Sequence, residues 1–114
     1  MQLKQRWGIG IAAKRSFVQN QPEMTKAFMA ALTDGAKIYK EDGRAAVRVL
    51  KKYMRAEDRI LEGGYKEYDA AISSPPYPSL KGLEALRDSL VDSTPQLKQV
   101  DLRKFIDDRF VKAK

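Results

Sequence analysis

The sequence predicts a mostly α protein, with about five helices after one short N-terminal extended segment. Three observations predict it. Asn20 to Tyr39 carries the longest amphipathic pattern, with Met24, Phe28, Ala31, Leu32, Gly35, Ile38 and Tyr39 on one helix face. Shorter patterns of the same period recur over 44–54, 56–72, 79–94 and 102–111. Only residues 8–13 have strand-like composition, so no second strand is available to pair with them. The expected organisation is a single helical domain over 1–114, with 1–19 an extended crossing segment and 20–114 helical.

Each element has a local cause. Trp7 to Ala13 mixes apolar side chains and glycines without helical spacing, which favours extended chain. Lys14 to Val18 reads as a turn or half-turn of helix. Pro22 suits the first helical position, where the missing N–H has no intrahelical partner to lose. Asn20 and Glu23 have the spacing of a capping box. Asp42 is placed to cap a helix from Arg44 to Met54, with Ala46, Val47, Leu50, Tyr53 and Met54 inward. A third helix, 56–72, turns Ile60, Leu61, Gly64, Tyr65, Tyr68 and Ile72 inward. Pro75, Pro76 and Pro78 then enforce a stiff extended connection. Ser79 caps a fourth helix with Leu80, Leu83, Leu86, Leu90 and Val91 inward. Asp101 caps a last helix, Leu102 to Val111.

Composition excludes several function classes. The chain has 114 residues and is 43% hydrophobic and 32% charged, a globular mix that suits one domain. No apolar run approaches the ~18 residues of a membrane span. Gly8 to Ala13 is too short and too glycine-broken for a signal peptide. The expectation is therefore a cytoplasmic protein if the chain is a natural short product, or a mature segment of something longer. There is no cysteine and no histidine, which removes disulfides, thiolate nucleophiles, zinc–thiolate sites and the usual general base. No catalytic residue, metal site or cofactor is expected, and the chain is not read as an enzyme.

The candidate chemistry is sparse. Gly8-x-Gly10 is an incomplete dinucleotide fingerprint, with Ala13 in the third glycine position. Glu57-Asp58 and Asp107-Asp108 are adjacent residues whose side chains diverge on a helix, so neither makes a facing acid–base pair. Tyr53, Tyr65 and Tyr68 have core spacing with hydroxyls at the rim, which favours core packing over the alternative of an aromatic binding pocket. The net charge is +7, all of it carried by residues 1–54. Arg44, Arg48, Lys51, Lys52 and Arg55 line one side of the second helix, a pattern that suits phosphate contact and equally a solvated outer face. No aromatic is expected on that side to stack bases.

Four passages, in order, resemble a known family. Gly8-Ile9-Gly10-Ile11-Ala12-Ala13-Lys14-Arg15-Ser16-Phe17 resembles a returning strand and short helical turn. Asn20-Gln21-Pro22-Glu23 through Phe28, Leu32, Gly35 and Tyr39 resembles the long helix after it. Tyr77-Pro78-Ser79-Leu80-Lys81-Gly82-Leu83 resembles the Pro-Ser-x-x-Gly start of the next helix. Asp101 to Phe110 resembles the terminal Phe-x-Asp-x-x-Phe helix. Together they resemble the C-terminal stretch of periplasmic substrate-binding proteins of ABC transporters, in the nitrate/sulfonate/taurine and thiamine-precursor-like group.

The resemblance implies part of a type-II periplasmic-binding α/β fold, a periplasmic location, an ABC permease as partner and a small anionic or heterocyclic solute. Sulfonates, nitrate, pyrimidine precursors and aromatic acids all fit that class. About two thirds of a typical member has no counterpart here, including the second lobe, so ligand binding by this chain alone is not expected. Trp7 and Gly8 are the ligand-proximal positions the resemblance transfers. The strand at 8–13 would pair within the first lobe's sheet; without it, self-association of two chains through 8–13 is expected, or else a segment left disordered or packed on the helices. The alternative expectation, from another class, is a small basic helical domain that binds nucleic acid or an acidic partner through Arg44, Arg48, Lys51, Lys52 and Arg55.

Overall fold

The computed structural model describes residues 10–111. Five α-helices make up its regular structure: α1 (Arg15–Asn20), α2 (Pro22–Glu41), α3 (Gly43–Tyr53), α4 (Asp58–Asp69) and α5 (Leu80–Leu90). Two 3₁₀ turns follow, Pro95–Gln99 and Leu102–Phe105, and there is no strand among the described residues. The described residues form two compact units, one of 10–22 with 78–109 and one of 23–77 with 110–111.

The second unit contains α2, α3 and α4. A single residue, Asp42, separates α2 from α3, and its carboxylate accepts the Ala45 N–H at 3.0 Å. This is the cap expected from the sequence. α3 packs against α4. All four buried apolar residues among those described, Ala36, Ala46, Leu61 and Val111, belong to this unit.

Polar contacts fix how α2 is rotated. Tyr39 Oη donates to the Tyr65 carbonyl at 3.3 Å, and Tyr65 Oη donates to the Tyr39 carbonyl at 3.0 Å. Lys40 Nζ donates to the Asp69 carbonyl and lies 3.5 Å from Asp69 Oδ1. These contacts turn Ala36 inward, with Thr25, Met29, Leu32 and Thr33 half-buried. The expected core face is corrected accordingly. Met24, Phe28 and Ile38 are more than half exposed, and Ala31 and Gly35 are exposed with them. The apolar arc of α2 is wide, and its neighbours cover only one flank.

Similar corrections apply further along. Tyr53 and Met54, expected inward, are exposed, as are Ile60 and Tyr68 on α4. The third helix is shorter than expected, Asp58–Asp69 in place of 56–72. Glu57 occupies the cap position without a side-chain hydrogen bond.

The first unit contains α1, α5 and both 3₁₀ turns, with α5 packed against each turn. The expected half-turn at Lys14–Val18 is a full helix, α1. Asn20 is the last residue of α1 and not a cap of α2. Ser79 caps α5, its Oγ accepting the Gly82 N–H at 3.0 Å, as expected. Leu86 and Leu90, expected inward, are exposed.

The expected terminal helix is absent beyond Phe105. Asp101 caps only the 3₁₀ turn, through the Arg103 N–H. Asp107 Oδ1 accepts the Arg109 N–H at 3.2 Å and Arg109 Nε at 2.9 Å. A side chain bonded to the backbone two residues on competes with helix formation. The segment expected to be extended, Gly10–Ala13, is exposed, non-helical and unpaired among the described residues. Its residues 1–9, including Trp7 and Gly8, lie outside the described residues.

Candidate functional site

α3 carries a stripe of basic side chains. Its start is fixed by the Asp42 cap, and alanines at 45 and 46 favour helix. Lys51 and Lys52 lie in its last turn, where cations complement the helix dipole. Ala46 is buried, so the opposite side of the helix faces outward and carries Arg44, Arg48, Lys51 and Lys52, all exposed. Arg55, just past the helix end, is also exposed. Four of the five basic residues singled out in the sequence thus share the outer side of α3, and the fifth follows its end.

They are not electrostatically equivalent. Lys51 Nζ is held 2.8 Å from Asp58 Oδ1 and 3.2 Å from Oδ2, which ties the end of α3 to the start of α4. Arg44, Arg48, Lys52 and Arg55 have no acidic partner among the described residues. Lys52 Nζ instead lies 5.4 Å above the Tyr53 ring, within the range of a cation–π contact.

The sequence reading missed Tyr53. It lies on the same side of α3 as Ala46, two turns on, so periodicity places it inward. At the last turn of α3 nothing covers it, and it is 75% exposed. Val49, between it and the cations, is 55% exposed. The signal available in the sequence was position: Tyr53 stands at the helix terminus, beside the two lysines.

Two clefts are present among the described residues, the first bordering the basic stripe at Arg44. Within the second unit a cleft of about 490 Å³ opens at the α2–α3 turn beside Gly43, Arg44, Glu62 and Tyr65. Within the first unit a cleft of about 710 Å³ lies between α1 and the segment Arg103–Arg109. Its basic groups are partly engaged. Arg109 Nη2 meets Asp107 Oδ2 at 2.7 Å, and Arg15 Nη2 donates to the Lys104 carbonyl at 3.5 Å. The Arg109 hydrogen bond holds the Asp107 carboxyl below the usual carboxylate range. Burial, with Tyr65, Asp69 and Tyr68 nearby, pushes the Tyr39 phenol up.

Each adjacent carboxylate pair has one member in an ion pair. Asp58 is occupied by Lys51 and Asp107 by Arg109. Among the described residues no group of three or more acidic side chains is placed to hold a metal ion. No described helix is long and apolar enough to cross a membrane. No family model, curated protein or solved structure matches this chain.

Proposed function

We propose that this chain is the C-terminal helical part of the solute-binding component of an ABC importer, acting by binding and delivery and not by catalysis. In this reading the component is periplasmic, hands a small anionic or heterocyclic solute to its permease, and needs residues outside this chain to bind that solute. Trp7 and Gly8 are the positions of this chain assigned nearest the solute.

One observation carries the reading beyond the four ordered passages of sequence. The outer stripe of α2, Met24, Phe28, Ala31, Gly35 and Ile38, runs along about four turns and is uncovered. Contiguous exposed apolar stripes mark surfaces that another layer covers. A long helix laid on a sheet is the role the resemblance gives α2. The unpaired segment Gly10–Ala13 fits the same account, since a strand of the first lobe would lack its neighbours here.

The genomic reading frame tests this. A continuous upstream frame encoding an export signal and alternating strand–helix patterns of two lobes supports the reading. A frame closed by a stop immediately before Met1 overturns it. Titration calorimetry of the whole gene product with an alkylsulfonate, nitrate or a pyrimidine then identifies the solute class.

A further inference from the structure

The exposed side chains of α3 grade from charge to hydrocarbon around the helix. Arg44, Arg48 and Lys51 lie opposite the buried Ala46, and Lys52 and Val49 follow on one flank. Tyr53 closes the arc on Ala46's own side, where the helix outruns its cover, and Arg55 follows the helix end. We propose that this face is a docking surface for an anionic lipid bilayer, with α3 lying in the interface plane. The proposal stands independently of the importer reading.

Charge complementarity selects an anionic occupant. Four of the five cations have no acidic partner among the described residues, so they are available to lipid phosphates. The apolar edge selects lipid over nucleic acid. Val49 offers nothing to a phosphate backbone or a base, whereas a shallow bilayer insertion buries it. A single aromatic does not make a stacking platform, which needs successive rings along the strand. Tyr53 has the amphipathic ring characteristic of the membrane interface, and Lys52 packed over it places a cation at headgroup depth. Of the acids around the face, Asp58 is already paired with Lys51, while Glu41, Asp42 and Glu62 share a cleft with Arg44 and confine the proposed contact mainly to Arg48, Lys52 and Arg55.

Vesicle co-sedimentation of the full chain tests this. One vesicle set is pure phosphatidylcholine, the other equal parts phosphatidylcholine and phosphatidylglycerol. Binding only to the anionic set, weakening as salt rises, is expected. Each neutralised cation should lower partitioning about fivefold, so the triple variant R48Q/K52Q/R55Q should lose roughly a hundredfold. The variant V49S/Y53S keeps its low-salt binding and loses the salt-resistant fraction, which separates insertion from simple charge attraction. Unchanged far-UV circular dichroism in both variants confirms that the fold persists. Equal binding to both vesicle sets, or no binding, overturns the proposal. So does displacement from anionic vesicles by oligothymidylate at sub-stoichiometric amounts, which would assign the face to nucleic acid.

Discussion

Tyr39 and Tyr65 exchange hydrogen bonds: each hydroxyl donates to the other's backbone carbonyl, at 3.3 and 3.0 Å, with ring centroids 4.9 Å apart. This pair of hydrogen bonds fastens α2 to α4 and so decides which flank of α2 turns inward. Removing the Tyr65 hydroxyl takes from the Tyr39 carbonyl the bond it accepts, and removing the Tyr39 hydroxyl takes a second bond from the Tyr65 carbonyl inside α4. Tyr39→Phe and Tyr65→Phe should each cost about 1 kcal/mol. The double variant should cost less than their sum, because losing one bond already loosens the geometry of the other. Urea unfolding of the three variants measures all three values, and strict additivity would count against a mutually dependent pair.

Gly43 is held by the same tyrosine. A Cβ at this position would sit 3.0 Å from Tyr65 Cε1 and 3.1 Å from Cζ and Oη. The ring cannot yield without stretching its bond to the Tyr39 carbonyl. Gly43→Ala should therefore destabilise by about 1 kcal/mol, an overpacking cost. Gly63→Ala is the control. It lies inside α4 with nothing within 4 Å of an added Cβ, so it should stabilise by about 0.5–1 kcal/mol. The opposite signs, read as shifts in the urea midpoint at constant slope, test whether Tyr65 is fixed.

These contacts also explain what the sequence disclosed. The caps at Asp42 and Ser79 were legible, because each acts within three residues of itself, whereas the capping box expected at Asn20 was not, because α1 runs through Asn20. The existence of α2 through α5 was legible from periodicity. The rotation of α2 was not, because its apolar arc is broader than one neighbour can cover. Tertiary hydrogen bonds from Tyr39 and Lys40 chose the inner flank. The end of the chain was misread for a local reason. Phe105, Ile106 and Phe110 have helical spacing, yet the Asp107 carboxylate binds the Arg109 N–H and holds a turn there. At the candidate site the five cations were legible as a stripe. The exposure of Tyr53 beside them was not, since periodicity does not reveal where a helix outruns its partner.

The Tyr39 phenol makes the second unit sensitive to alkali. Its pKa is raised in the folded state, first by burial and then by Tyr65, Asp69 and Tyr68. The unfolded chain releases this proton near the ordinary value of 10.0, before the folded chain does. Between those two values the folded state binds more protons, so unfolding free energy falls as pH rises. The contribution is fully present below pH ~10 and is lost as pH climbs through the folded value. Thermal melts in steps above that pH should show a falling midpoint. The slope should be shallower in Tyr39→Phe, which has no proton to lose there.

Ser79 gives a comparable handle on the other unit. Its Oγ accepts the Gly82 N–H at 3.0 Å, and Gly82 itself is buried. Ser79→Ala leaves that donor without its partner and should cost about 1 kcal/mol, while Ser79→Asp should restore most of it. Guanidinium unfolding followed at 222 nm, a conventional helix wavelength, distinguishes the two.

The uncovered stripe of α2 gives a prediction whose sign depends on context. Phe28 is 53% exposed in this chain, so Phe28→Ser should change its stability by no more than about 0.5 kcal/mol. In the whole solute-binding component proposed above, a sheet would bury that ring, and the same substitution should cost about 3 kcal/mol or more. Gly35→Ala sharpens the contrast. Nothing lies within 4 Å of a Cβ there, so the isolated chain should gain up to about 1 kcal/mol from the better helix former. A covering layer packed closely on Gly35 would convert that gain into a loss. Unfolding both variants in the isolated chain and in the whole gene product compares the two contexts directly. If Phe28→Ser costs the same small amount in each, α2 has no covering layer, and the helix faces solvent by design of this fold alone.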